Sequence, residues 1–183
     1  MRMVLALTGA SGAIYFQRCL ERLRNFDLSL ELISSSHGRF VLEHETGKTW
    51  DDLSAGLTVH EEANMAASVS SGSTPTSAMI VVPCSMSSLC QIASGISENL
   101  IHRVAAVQLK ERRKLILVPR ETPYSLIHLR AMTALTEAGA LILPASPGFY
   151  HRPTCVEEVV DGVVDRILDH IGLPDTKIKR WQS

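Results

Sequence analysis

Five segments of the chain combine residue types and spacing that suit chemistry. Gly9-Ala10-Ser11-Gly12 is a tight turn between an apolar run and a helical stretch. Glycines there let the backbone approach an anion, and the free N–H groups of a starting helix point at it. The turn lacks the third glycine of the dinucleotide fingerprint. The second strand ends in Ser34-Ser35-Ser36 rather than in an acid, which counts against NAD. Pro83-Cys84-Ser85-Met86-Ser87-Ser88 is a second hydroxyl-rich turn. It suits a phosphate, and it equally suits plain helix capping. Arg103 and Lys110 are seven residues apart, two helical turns on one face, although Lys110-Glu111-Arg112-Arg113 also reads as a solvated helix end. Arg120-Glu121 sets an anion clamp beside a proton carrier. The stretch from Pro144 to Pro153 is stiffened by three prolines and presents Tyr150.

Other chemistries find no residues. His128, His151 and His170 form no HxxxH pair. Cys19, Cys84, Cys90 and Cys155 have neither zinc-ligand nor CxxC spacing, so no metal site is expected. There is no GxSxG nucleophile elbow.

These segments need elements to position them. Met3 to Leu7 reads as a strand, followed by the glycine turn and a helix through Leu23. Leu28 to Ser34 alternates as a second strand. Gly38 to Thr46 and Thr49 to Ala55 read as short helices, the latter capped by Thr49 or Asp51. Met79 to Val82 is a fully apolar strand stopped by Pro83, and Ser85 or Ser87 caps the helix after it. Ser97 to Arg112 reads as a helix with its acid first and its bases last, the order the macrodipole favours. Leu115 to Val118 and Leu141 to Leu143 are further strands. Ser125 to Ala138 and Thr154 to Ile171 are further helices, with Gly139 and Thr154 as end signals. Strands alternating with helices predict one α/β domain over residues 1–183, a parallel sheet covered on both faces. Ligands of such folds sit beyond the carboxyl ends of the strands, where the turns above lie.

Composition agrees. The chain has 183 residues, 45% hydrophobic and 20% charged, with a net charge of -1. That supports a sizeable core and provides no basic field for nucleic acid or an anionic membrane. The apolar runs of about five residues fall far short of the ~20 that span a bilayer. The N-terminal one is also too short for a signal-peptide core, so a cytosolic protein is expected.

Taken together, the segments resemble the UbiX-type flavin prenyltransferases, a family long described as aromatic-acid carboxy-lyases. The stretches that carry the likeness are Ser70-Ser71-Gly72-Ser73, Pro83-Cys84-Ser85-Met86, Leu109-Lys110-Glu111-Arg112-Arg113, Arg120-Glu121-Thr122-Pro123 and Pro147-Gly148-Phe149-Tyr150. The likeness runs from the glycine turn to Arg180-Trp181-Gln182.

The resemblance implies a three-layer Rossmann-like (flavodoxin-like) fold that binds FMN. It implies transfer of a dimethylallyl group from dimethylallyl monophosphate to N5 and C6 of reduced FMN, without a metal. The product, prenylated FMN, would serve a UbiD-type decarboxylase. A homo-oligomer, often a dodecamer, is implied as well. By the same resemblance Gly9, Ala10, Ser11, Ser35, Ser85, Met86, Ser87, Ser88 and Arg120 match flavin-binding positions. Glu45 matches an acid near the flavin edge, and Glu121 the catalytic acid, with Ser11 as a proton relay. Arg103, Lys110, Tyr150 and Arg166 match the groups that hold the prenyl phosphate. Trp181 offers a π face to an allyl cation. The chain departs from the family pattern at Phe16, Thr74 to Ser77, Glu98 and Ala106, none of them a proposed phosphate ligand. Rival readings are an FMN-dependent decarboxylase of a cysteine-type or aromatic acid, and a non-catalytic FMN carrier. The Pro-Xaa-Met-Asn clamp of the cysteine decarboxylases is not found.

Overall fold

The computed structural model describes residues 1–173. Its elements in chain order are β1 (Arg2–Leu7), α1 (Ala13–Leu23), β2 (Ser29–Ser34), α2 (Ser36–Thr46), α3 (Trp50–Ser54) and β3 (Thr58–Glu61). A 3-10 turn (Ser68–Ser70) precedes β4 (Ala78–Cys84), α4 (Met86–Ala93), α5 (Leu100–Lys110) and β5 (Lys114–Pro119). Then come α6 (Leu126–Glu137), β6 (Leu141–Ile142) and α7 (Val156–Ile171). The strands form one six-stranded sheet, order β3-β2-β1-β4-β5-β6, and every neighbouring pair is parallel.

The central strands explain the layering. All seven residues of β4 are buried, as are five of the six in β1 and in β5. A strand buried on both faces needs helices on both sides. Alternate residues therefore feed two cores. Leu5, Leu7, Leu32, Ile80 and Ile116 pack with α1 and α7. Val4, Ala6, Ile33, Val81 and Leu117 pack with α4, α5 and α6. α1 presents Ala13, Phe16, Cys19, Leu20 and Leu23 at helical spacing to the first core. Arg18 grips Asp161 with two nitrogens at 2.8 and 2.6 Å, and Arg22 reaches Asp165 at 2.7 Å, so α7 is fastened to α1.

Chain order reverses direction in the sheet between β1 and β4, the switch point where the loops of such a sheet part and leave a crevice. Thr8 stitches that crevice. Its side chain is 1% exposed, donates to Pro83 O at 2.7 Å and accepts from Ser85 N at 2.7 Å.

Several expectations need correction. β4 continues through Pro83 to Cys84, because the ladder shifts register between Val81 and Cys84 and skips the residue that has no N–H. β3 gives no sequence signal: Thr-Val-His-Glu is short, polar and at the sheet edge. α5 begins at Leu100 under an Asn99 cap rather than at Ser97. Thr154 does not cap α7; its N–H and hydroxyl donate to Glu158, and the N-cap position is Cys155, with no side-chain cap bond. Thr49, rather than Asp51, caps α3, in a capping box with Asp52.

Thr8→Val keeps the shape and strands two buried backbone groups, which costs about 2 kcal/mol. The expected thermal midpoint falls by roughly 4–8 °C, read by calorimetry. An unchanged midpoint would show that the stitch is dispensable.

Candidate functional site

The turn after β1 is built for close approach. A Cβ on Gly9 would lie 2.7 Å from His37 Cβ, so only glycine lets the turn rest against the start of α2. Gly12 has φ 104, a conformation that favours glycine, and α1 has no side-chain cap from that residue. Glu45, at the far end of α2, supplies the cap instead. Its Oε2 accepts from Gly12 N and Ala13 N, both at 2.8 Å. Partial burial opposes ionisation of Glu45. Hydrogen bonds from the Ser11 side chain and the two amides, with the nearby Arg120 charge, outweigh it and hold its pKa below the usual carboxylate value. Arg120 Nε donates to Ser11 O at 2.8 Å, which ties the mouth of β5 to the same turn.

Two hydroxyl-capped helices flank this turn. Ser35 Oγ accepts from Gly38 N at 3.0 Å while Ser35 N donates to Leu7 O at 3.0 Å, so the start of α2 sits at the end of β1. Ser85 Oγ accepts from Ser88 N at 3.2 Å and donates to Ser88 Oγ at 3.1 Å, with Ser87 exposed and Met86 buried. The same serines thus serve capping and face the crevice end of the sheet. Gly9, Ala10, Ser11, Ser35, Glu45, Ser85, Met86, Ser87, Ser88 and Arg120 are all brought to the switch point. Glu121 is next to Arg120 and exposed, its Oε1 accepting from Thr122 N at 3.0 Å. The donor set is amides, hydroxyls and one guanidinium. That fits the phosphate and polar ring edge of a flavin mononucleotide better than it fits a metal. Among the described residues no group of three or more His, Cys, Asp or Glu is placed to hold a metal ion.

The expected phosphate groups do not gather within one chain. Arg103 and Lys110 stand on α5, which packs on one face of the sheet, and Arg166 stands on α7, which packs on the other. Arg103 Nε donates to Ser70 O at 3.1 Å, and Lys110 pairs with Glu111 over Gly72. Tyr150 is 53% exposed and meets His151 edge-on. Tyr150 and Arg166 share a cavity of about 370 Å³ with Leu141, Leu143, Pro144 and His151, beside the β6 edge. Arg166 also reaches Asp169 at 3.2 Å. Trp181 lies outside the described residues. Sequence reasoning missed Thr8 and His37. A threonine closing an apolar strand before a glycine turn was the available signal for Thr8; His37 gave none.

Comparison with known proteins agrees with this geometry. The family model described as Flavoprotein matches residues 1–169. The flavin prenyltransferase UbiX of Thermoplasma acidophilum is 45% identical over 182 residues, covering 99% of this chain and all of that one. A crystal structure of AnUbiX (PadA1) in complex with FMN and dimethylallyl pyrophosphate superposes with a TM-score of 0.97 at 43% identity, covering 100% of this chain and 97% of that one. A dodecameric FMN-dependent UbiX-like decarboxylase from Escherichia coli O157:H7 matches with a TM-score of 0.97 at 41% identity over the whole of both chains. No described helix is long and apolar enough to cross a membrane. With its switch-point crevice and its match over full length, the chain belongs to the flavoprotein family of UbiX flavin prenyltransferases.

Proposed function

We infer that the chain is a prenyltransferase that joins the dimethylallyl group of dimethylallyl monophosphate to reduced FMN. The observation that carries this reading is the meeting of the Gly9–Gly12 turn, the Ser85–Ser88 turn and Arg120 at the switch point. The full-length match to flavin prenyltransferases supports it. Reduced FMN supplies nucleophilic N5 and C6 atoms, and inorganic phosphate leaves.

The chain's own groups divide the remaining work. The amides and hydroxyls of Gly9 to Ser11, Ser35 and Ser85 to Ser88, with Arg120, hold and orient the flavin. Ser11 and Glu45 share the Gly9–Gly12 turn, Glu45 through the Gly12 and Ala13 amides, so a proton released at the flavin edge is taken up there, with Ser11 as relay. Arg103, Lys110 and Arg166 neutralise the charge that develops on the departing phosphate, the contribution preorganised cations make best. Tyr150 adds a neutral donor, and Glu121 delivers a proton to the leaving oxygen. The loop after β6 lacks the clamp of a cysteine-type decarboxylase, and a carrier has no use for Glu121, Lys110 and Arg166 together.

Because α5 and α7 flank opposite faces of the sheet, this reading has the phosphate site completed between copies. Arg103 and Lys110 of one chain face Tyr150 and Arg166 of another, in a homo-oligomer of the kind the dodecameric relative forms. The released prenylated flavin then serves a separate UbiD-type decarboxylase.

Mixed anaerobically with reduced FMN and dimethylallyl monophosphate, the protein should release a flavin heavier by one dimethylallyl unit, together with phosphate. Glu121→Gln should keep flavin binding and lose about 10²–10⁴-fold in turnover, the usual contribution of a positioned acid. Unmodified flavin from the unsubstituted protein would contradict the reading.

Glu45 adds an acid-side signature. Its lowered pKa makes its cap of α1 fully effective above the ordinary value of 4.5, and lost as pH falls through the lowered folded value. Stability should therefore decline on the acid side of 4.5, and Glu45→Gln should flatten that decline in thermal melts taken across the range. An identical acid-side slope in the variant would remove Glu45 from the account.

A further inference from the structure

The Ser70 to Ser73 segment is left without a task by the roles above, yet α5 holds it at several points. Arg103 Nε donates to Ser70 O at 3.1 Å. Gln108, fully buried, donates to Thr76 Oγ1 at 2.5 Å. Arg113 donates through Nη1 to Thr74 O at 2.7 Å and through Nη2 to Gly72 O at 2.6 Å. Arg113 Nη2 also lies 4.0 Å from Glu111, which pairs with Lys110.

The end of α5 is shaped for this. Arg113 N donates to Gln108 O at 2.8 Å and Arg112 N to Leu109 O at 3.1 Å, the paired bonds of a Schellman turn. Arg112 takes φ 56 at the position where glycine is usual, a conformation that costs a residue with a side chain. The turn sends Arg113 back toward residues 72–74. Gly72 then lies so close that a Cβ on it would come within 2.5 Å of Lys110 Nζ and strike the Glu111 carboxylate.

We propose that Arg113 is a positioning residue. Its guanidinium clasps the 70–74 turn against α5, and that turn sets the places of Arg103 and Lys110, the two phosphate-binding cations on this helix. The inference rests on the prenyltransferase reading, which gives those cations their anion. A planar fork on two carbonyls is something lysine cannot reproduce. The clasp acts on anion binding and leaves untouched the flavin crevice, which lies at the carboxyl ends of the strands while the clasp lies near their amino ends, where Ser77 N donates to Arg2 O.

The test uses the FMN-loaded assembly, with dimethylallyl monophosphate titrated in by calorimetry and turnover measured in parallel. Arg113→Lys should raise both Kd and KM for the monophosphate about tenfold, the effect of losing a charge-assisted hydrogen bond. kcat should fall as well, because Arg103 and Lys110 also meet the charge that develops on the departing phosphate, whereas FMN affinity and thermal midpoint should stay close to those of the unsubstituted protein. Gly72→Ala, which leaves Arg113 in place and displaces Lys110, should give the same signature. The double variant should be about as impaired as the worse single variant, short of the product of the two effects, because both act through one turn. Monophosphate binding within about twofold of normal in both single variants would overturn the proposal while leaving the prenyltransferase reading intact. So would losses that follow FMN affinity and thermal midpoint together. If the unsubstituted protein neither binds nor turns over the monophosphate, the functional reading fails first and this inference with it.

Discussion

A single buried hydroxyl holds the site open in its working shape. In a parallel sheet whose strand order reverses, the loops on the two sides of the switch point diverge, and nothing in the ladder joins them. Thr8 Oγ1 joins them here by bonding both Pro83 O and Ser85 N. With that stitch in place, the glycine turn and the hydroxyl-capped start of α4 are held side by side at the crevice. Arg120, bonded to Ser11 O, closes the third side from β5.

Electrostatics follow from this arrangement. The start of α1 offers unpaired N–H groups, and the chain gives them to Glu45. The carboxylate is thereby kept ionised at the turn that carries Ser11. The cations proposed to take the phosphate stand apart from this centre on two helices, each beside a local acid: Lys110 with Glu111, Arg166 with Asp169.

The layered α/β fold and most of its elements are legible in the sequence because strands buried on both faces are apolar throughout, and glycines, prolines and hydroxyl caps punctuate them. β3 escapes because an edge strand of Thr-Val-His-Glu carries no apolar pattern. The extension of β4 past Pro83 escapes because only the register shift against β5 makes room for a proline there. The flavin-side residues were legible as turns, and their gathering is a consequence of strand order. The separation of Arg103 and Lys110 from Arg166 was not legible, since a linear spacing does not say which face of a sheet a helix covers. Thr8 was visible only as a turn residue, because its two partners lie more than seventy positions away.

The most direct test of the account is subunit mixing. Lys110→Ala and Arg166→Ala chains would be dissociated, mixed equally, reassembled with FMN and assayed for phosphate release from dimethylallyl monophosphate. Sites shared between copies on opposite sheet faces predict that two inactive proteins recover about one quarter of the normal rate, because random pairing joins the intact halves that often. A mixture as inactive as either parent would contradict a site completed between chains.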